Sequence, residues 1–112
     1  MSFSIDKTNI YLTKGDTFHL PVHFHQSLKG ARITVEIYQK EGLTPLIQEV
    51  ITSHLDEDEG KTLITIPKEK FDPLLIGEYK ILMRLNFLDG TSMTFYPASP
   101  VETAVFHLTS AI

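Results

Sequence analysis

The chain has 112 residues, a formal net charge of −4 and no cysteine. That length suits a single domain spanning residues 1–112, able to bury roughly two thirds of its unfolded surface without covalent staples. The missing cysteine excludes disulfides and thiolate metal sites and fits a reducing cytoplasm, while the negative charge argues against nucleic acid as a partner, which needs a basic field. The opening residues, Met1 to Asp6, lack the basic and apolar regions of a signal peptide. No apolar run approaches the ~18 residues of a membrane span, so no membrane partner is expected.

Period-two alternation recurs along the chain. A first short strand is expected over Ile10 to Thr13, closed by a turn at Lys14-Gly15-Asp16. The clearest strand follows, Thr17 to His25, with Phe18, Leu20, Val22 and Phe24 on one face and His19, Pro21, His23 and His25 on the other. Pro21 cannot donate to a ladder, so this strand is expected at an edge or bulged. After Leu28-Lys29-Gly30, the run Arg32 to Tyr38 points Ile33, Val35 and Ile37 inward. Weaker strands are expected over Leu46 to Ser53 and Thr62 to Ile66, separated by the acidic run Asp56 to Gly60. Pro67 to Phe71 reads as one helical turn crossing between sheets, stopped by Asp72-Pro73. Tyr79 to Phe87 alternates again, with Tyr79, Ile81, Met83, Leu85 and Phe87 inward. Asp89-Gly90 predicts a type I′ turn into a strand over Ser92 to Tyr96. Tyr96 to Pro100 breaks the chain, where it is expected to change sheets before a last strand, Val101 to Leu108. About eight strands and one short helical turn predict an all-β domain, a sandwich more than a barrel.

Few groups could carry chemistry. His23 and His25 lie two apart on one face, with His19 further along it, but a metal site needs a third ligand and none can be assigned. His54 is expected to be exposed, and the face of His107 is left open. The acidic run Asp56-Glu57-Asp58-Glu59-Gly60 places its glycine fifth, out of register for an EF-hand loop, and reads as a solvated hairpin tip. No nucleophile elbow or glycine-rich phosphate loop is present. No catalytic residue, cofactor or metal is therefore expected, and no enzyme. His19, Pro21, His23 and His25 form a strand face without Lys or Glu, residues depleted at interfaces. That face, with His19, His23 and His25 as its candidate residues, is the expected contact surface of a homo-oligomer.

Four stretches resemble one family. They are Thr13-Lys14-Gly15-Asp16-Thr17 between strands, Gly30-Ala31 at a strand start, Leu74-Leu75-Ile76-Gly77-Glu78-Tyr79 entering a central strand, and the hairpin Leu88-Asp89-Gly90-Thr91. Together they look like the small immunoglobulin-like domains of tail and baseplate proteins of tailed bacteriophages, over Ile10 to about Leu108. The resemblance implies an immunoglobulin-like sandwich with Tyr79 in a core or corner role. It also implies a structural or accessory protein of a phage or prophage virion (tail, baseplate or neck). Such a protein would be made in the bacterial cytoplasm and would assemble with other virion proteins. The alternative is a module that binds carbohydrate or another host-surface ligand, for which Tyr38 and Tyr96 are the candidate aromatic platforms.

Overall fold

The computed structural model describes residues 3–6, 8–97 and 102–110. Nine strands lie among them: β1 (Phe3–Asp6), β2 (Asn9–Thr13), β3 (Phe18–His23), β4 (Arg32–Gln39), β5 (Ile47–Ile51), β6 (Lys61–Ile66), β7 (Gly77–Asn86), β8 (Ser92–Tyr96) and β9 (Val105–Thr109). The alternating runs fold as expected, and β1 is an addition that its short, mixed sequence did not announce. The large sheet runs β1-β2-β9-β7-β4-β5, with β8 also on β7, while β3 and β6 form a separate two-stranded sheet. Strands β2 and β9 are parallel, with Ile10 opposite Phe106; the other pairings are antiparallel. A 3₁₀ turn over Lys68–Phe71 carries the chain from β6 in one sheet to β7 in the other, where the sequence predicted a crossing.

Two expectations need correction. The break after Tyr96 is not a change of sheet, because β8 pairs with Met83–Asn86 of β7 and β9 with Gly77–Lys80 of the same strand. The two segments fill one strand position in succession. The last strand is also shorter than expected, beginning at Val105, and residue 101 lies outside the described residues. At the β7–β8 hairpin, Gly90 N–H bonds to the Phe87 carbonyl at 3.1 Å, so Leu88 and Asp89 are the central residues. Gly90 follows with φ of +92°. This is a type I turn with a glycine bulge, and not the type I′ turn that Asp-Gly suggested. Asp89 Oδ1 accepts from both the backbone N–H and the hydroxyl of Thr91, at 2.9 and 2.7 Å, holding the wider loop.

The core lies between the sheets. Ile33, Val35 and Ile37 of β4 and Ile81, Met83 and Leu85 of β7 are fully buried. Three buried phenylalanines tie the layers together. Phe106 of the large sheet stacks on Phe71 of the 3₁₀ turn at 5.5 Å between ring centroids, and meets Phe18 of the small sheet at 6.3 Å. Each such ring is worth roughly 1.5–3 kcal/mol of burial. At the corner between the sheets, the Tyr79 hydroxyl donates to the Leu75 carbonyl at 2.6 Å. A tyrosine entering a central strand and bonding backwards is a mark of immunoglobulin-like sandwiches. Ile81, two residues on, is fully buried where disulfide-bonded members carry a cysteine. The fold is an all-β, immunoglobulin-like sandwich.

Candidate functional site

Among the described residues the small sheet has two strands, so its geometry follows from one register. Val22 faces Thr62, Pro21 faces Leu63 and His23 faces Lys61. Phe24 N–H bonds to Gly60 O at 2.8 Å, while Lys61 exchanges both backbone bonds with Asp56 on the far side, at 2.9 and 3.0 Å. Antiparallel ladders alternate bonded and non-bonded pairs. Hence Phe18, Leu20 and Val22 bond toward β6, and His19, Pro21 and His23 direct their backbone groups at the free edge of β3. The missing N–H of Pro21 costs the ladder nothing there. The edge placement expected from this proline is what the fold shows.

The outward face combines residues of both strands. His19, Pro21, His23 and His25 are exposed. His19 Nδ1 lies 3.3 Å from the hydroxyl of Thr65 on β6. The rings of His23 and His25 approach to 5.2 Å with a 43° tilt. Lys61, exposed and directly opposite His23, joins them. The β3 face alone has no lysine, and only the register brings Lys61 in; no signal within either strand specifies it. Among the described residues, no group of three or more His, Asp or Glu converges as metal ligands.

The acidic run is built onto this end of the sheet. Leu28 N–H bonds to the Glu57 carbonyl at 2.7 Å, and Asp56 Oδ1 accepts from Glu59 N–H at 3.1 Å. Gly60, with φ of +77°, is pressed against β3's continuation: a Cβ there would lie 2.2 and 2.3 Å from the carbonyl oxygens of Phe24 and Gln26. Asp56, Glu57, Asp58 and Glu59 remain exposed. Histidines and carboxylates are thus neighbours in space. Pro21, Val22, His23, Leu55, Lys61 and Thr62 line a shallow, mostly apolar groove of about 210 Å³. Leu55 is 67% exposed beside it.

The other named residues have structural settings. His54 is not exposed as expected. It is half-buried, with Nε2 at 2.8 Å from the Ala31 carbonyl and Nδ1 at 2.9 Å from the hydroxyl of the fully buried Thr62. A carbonyl only accepts, so Nε2 carries the proton and Nδ1 can accept from Thr62. That buried hydroxyl needs a partner, and the histidine supplies it. His107 faces outward on β9, stacked on Tyr11 at 4.3 Å and bonded through Nε2 to Asn9 Oδ1 at 2.9 Å. Glu78 lies 3.4 Å from its Nδ1 and pairs with Lys40 at 2.8 Å. The Tyr38 ring is capped by the Lys80 ammonium at 5.0 Å. Its hydroxyl titrates above the usual tyrosine value, chiefly through burial and then through Glu36. Tyr96 is half-buried against the core, and its hydroxyl is enclosed without a hydrogen-bond partner among the described residues. Desolvation pushes it up to about 12.

Comparison of the chain with protein-family models, curated proteins and solved structures finds no match.

Proposed function

We propose that this chain is a non-enzymatic structural or accessory protein of a phage or prophage virion, placed in the tail, baseplate or neck. It is made in the host cytoplasm and acts by contact with other virion proteins and with copies of itself. The observation that carries this reading is where the four family-like stretches fall. Lys14 to Thr17 form the β2–β3 connection, Gly30-Ala31 lead into β4, Leu74 to Tyr79 make the tyrosine corner, and Leu88 to Thr91 make the β7–β8 hairpin. Each is a connecting position of an immunoglobulin-like sandwich, in the order the resemblance requires. The outer face of the small sheet supplies a surface for contact.

The carbohydrate-binding alternative draws less support, because Tyr38 lies under Lys80 and Tyr96 turns toward the core. The test is to purify particles from a bacterial host carrying this gene, after prophage induction, by density gradient. The chain should co-sediment with particles by mass spectrometry and be labelled on them by gold-conjugated antibody. Its absence from intact particles would overturn the proposal.

A further inference from the structure

We propose that the outer face of the small sheet is a two-fold, self-complementary interface between two copies of this chain, in which the histidine–lysine patch of each copy receives the acidic loop of the other. This names the self-contact left general above, and it stands or falls independently of where the protein is placed in a virion.

The argument starts from symmetry. A two-fold contact uses the same patch on both partners, so residue i meets j and j meets i. Most charged patches repel themselves under that operation. This one need not, because its opposite halves lie side by side. His23, His25 and Lys61 sit at one end of the β3–β6 face, and Asp56 to Glu59 form the loop joined to it through the Asp56–Lys61 and Phe24–Gly60 backbone bonds. A half-turn about an axis near the groove sets each cationic half against the partner's anionic half, so every attraction is made twice. The groove supplies an apolar centre, with the exposed Leu55 beside it. Contact by face is also favoured over contact by strand addition, since Pro21 interrupts the donors on the free edge of β3.

The charge of this surface depends on pH. The charged and titratable residues at this end of the sheet are His19, His23 and His25, Lys61 on β6 opposite His23, Lys29 in the adjoining loop, and Asp56, Glu57, Asp58 and Glu59 in the loop bonded to Lys61 and Leu28. Imidazole is the side chain that changes charge between pH 5 and 8. Protonation of an imidazole adds positive charge opposite the partner's acidic loop. Exposed pairs are individually modest, but the symmetry doubles each, so the dissociation constant should fall on the order of tenfold between pH 8 and pH 5.5.

The experiment is sedimentation equilibrium of the full chain at pH 8 and pH 5.5, with thermal melts to verify folding. The wild type should form dimers, tighter at pH 5.5 and weakened by salt. A variant with His23→Glu and His25→Glu should be a folded monomer, and so should one with Glu57→Lys and Asp58→Lys. Mixed one to one, they should form a heterodimer, because one presents a net acidic surface, with Lys61 kept, and the other a net basic one, with Asp56 and Glu59 kept. A wild type that stays monomeric at both pH values would overturn the proposal, as would variants that dimerise like the wild type or a mixture that does not pair. Dimers that behave as described in a protein missing from particles would leave this interface standing and remove only the virion reading.

Discussion

The Tyr79 hydroxyl reaches back four residues to the Leu75 carbonyl at 2.6 Å, fixing the turn that swings the chain from the 3₁₀ segment into β7. Tyr79 itself is buried beside Phe106 in the β7–β9 register. The bond therefore locks a loop to the core through one side chain. Tyr79→Phe keeps the ring and removes the donor. It should lower stability by about 1 kcal/mol, or roughly 4–8 °C in melting temperature for a domain near this size. An unchanged melt would show that the corner is held by packing alone.

His54 links two strands that share no ladder. It bridges Ala31, at the entry to β4, and Thr62 in β6. Replacing it with phenylalanine leaves a fully buried hydroxyl and a carbonyl without this partner. The expected loss is about 2–3 kcal/mol, read by urea denaturation. The proton assignment has its own check: long-range ¹H–¹⁵N correlation spectra should show His54 protonated on Nε2, and the opposite tautomer would refute the bridge.

Gly60 and Gly90 both adopt positive φ but differ in their surroundings. A methyl at Gly60 collides with two backbone carbonyls, whereas one at Gly90 meets nothing within 4 Å. Gly90→Ala should therefore cost only backbone strain, about 1 kcal/mol. Gly60→Ala should cost at least about 2 kcal/mol more, because backbone must shift. Equal losses in parallel melts would mean that the acidic loop is not seated as described.

Tyr96 carries an enclosed hydroxyl with no hydrogen-bond partner among the described residues. Tyr96→Phe removes that unsatisfied group and should leave stability unchanged or raise it by up to about 1 kcal/mol. The pH dependence has a definite sign. Folding raises this phenol from 10.0 to about 12, so the neutral form is favoured in the folded state. Its contribution is complete below pH 10 and is lost as pH climbs from there through about 12. The phenylalanine variant should lose less stability across that alkaline window than the wild type. Parallel curves would place the hydroxyl in water.

Alternation made most of the fold legible. Ile33, Val35 and Ile37, and Ile81, Met83 and Leu85, are buried on the faces their spacing predicts. Pro21 marked an edge because a missing donor is a local property. Pairing was harder to read, since it joins residues far apart in sequence. Nothing in the tract around Tyr96 to Pro100 distinguishes a strand that leaves its sheet from one interrupted within it, and β8 and β9 prove to share β7. The Asp89-Gly90 signal was real, yet the Asp89 carboxylate binds Thr91 and shifts the turn by one residue. His54 looked like a loop residue beside charges, because its partners lie 23 and 8 positions away. Lys61 entered the histidine face for the same reason, through a register no single strand contains.

Pro21 also governs how copies behave when crowded. Growth of a cross-β fibre needs an unbroken rail of donors and acceptors for each incoming chain. The outward rail of β3 offers N–H groups at His19 and His23, separated by a residue that has none. An arriving strand cannot complete its ladder across that gap. Contact between copies across the proposed interface is therefore left to side-chain surfaces, and ladder growth along this edge is interrupted by a single ring.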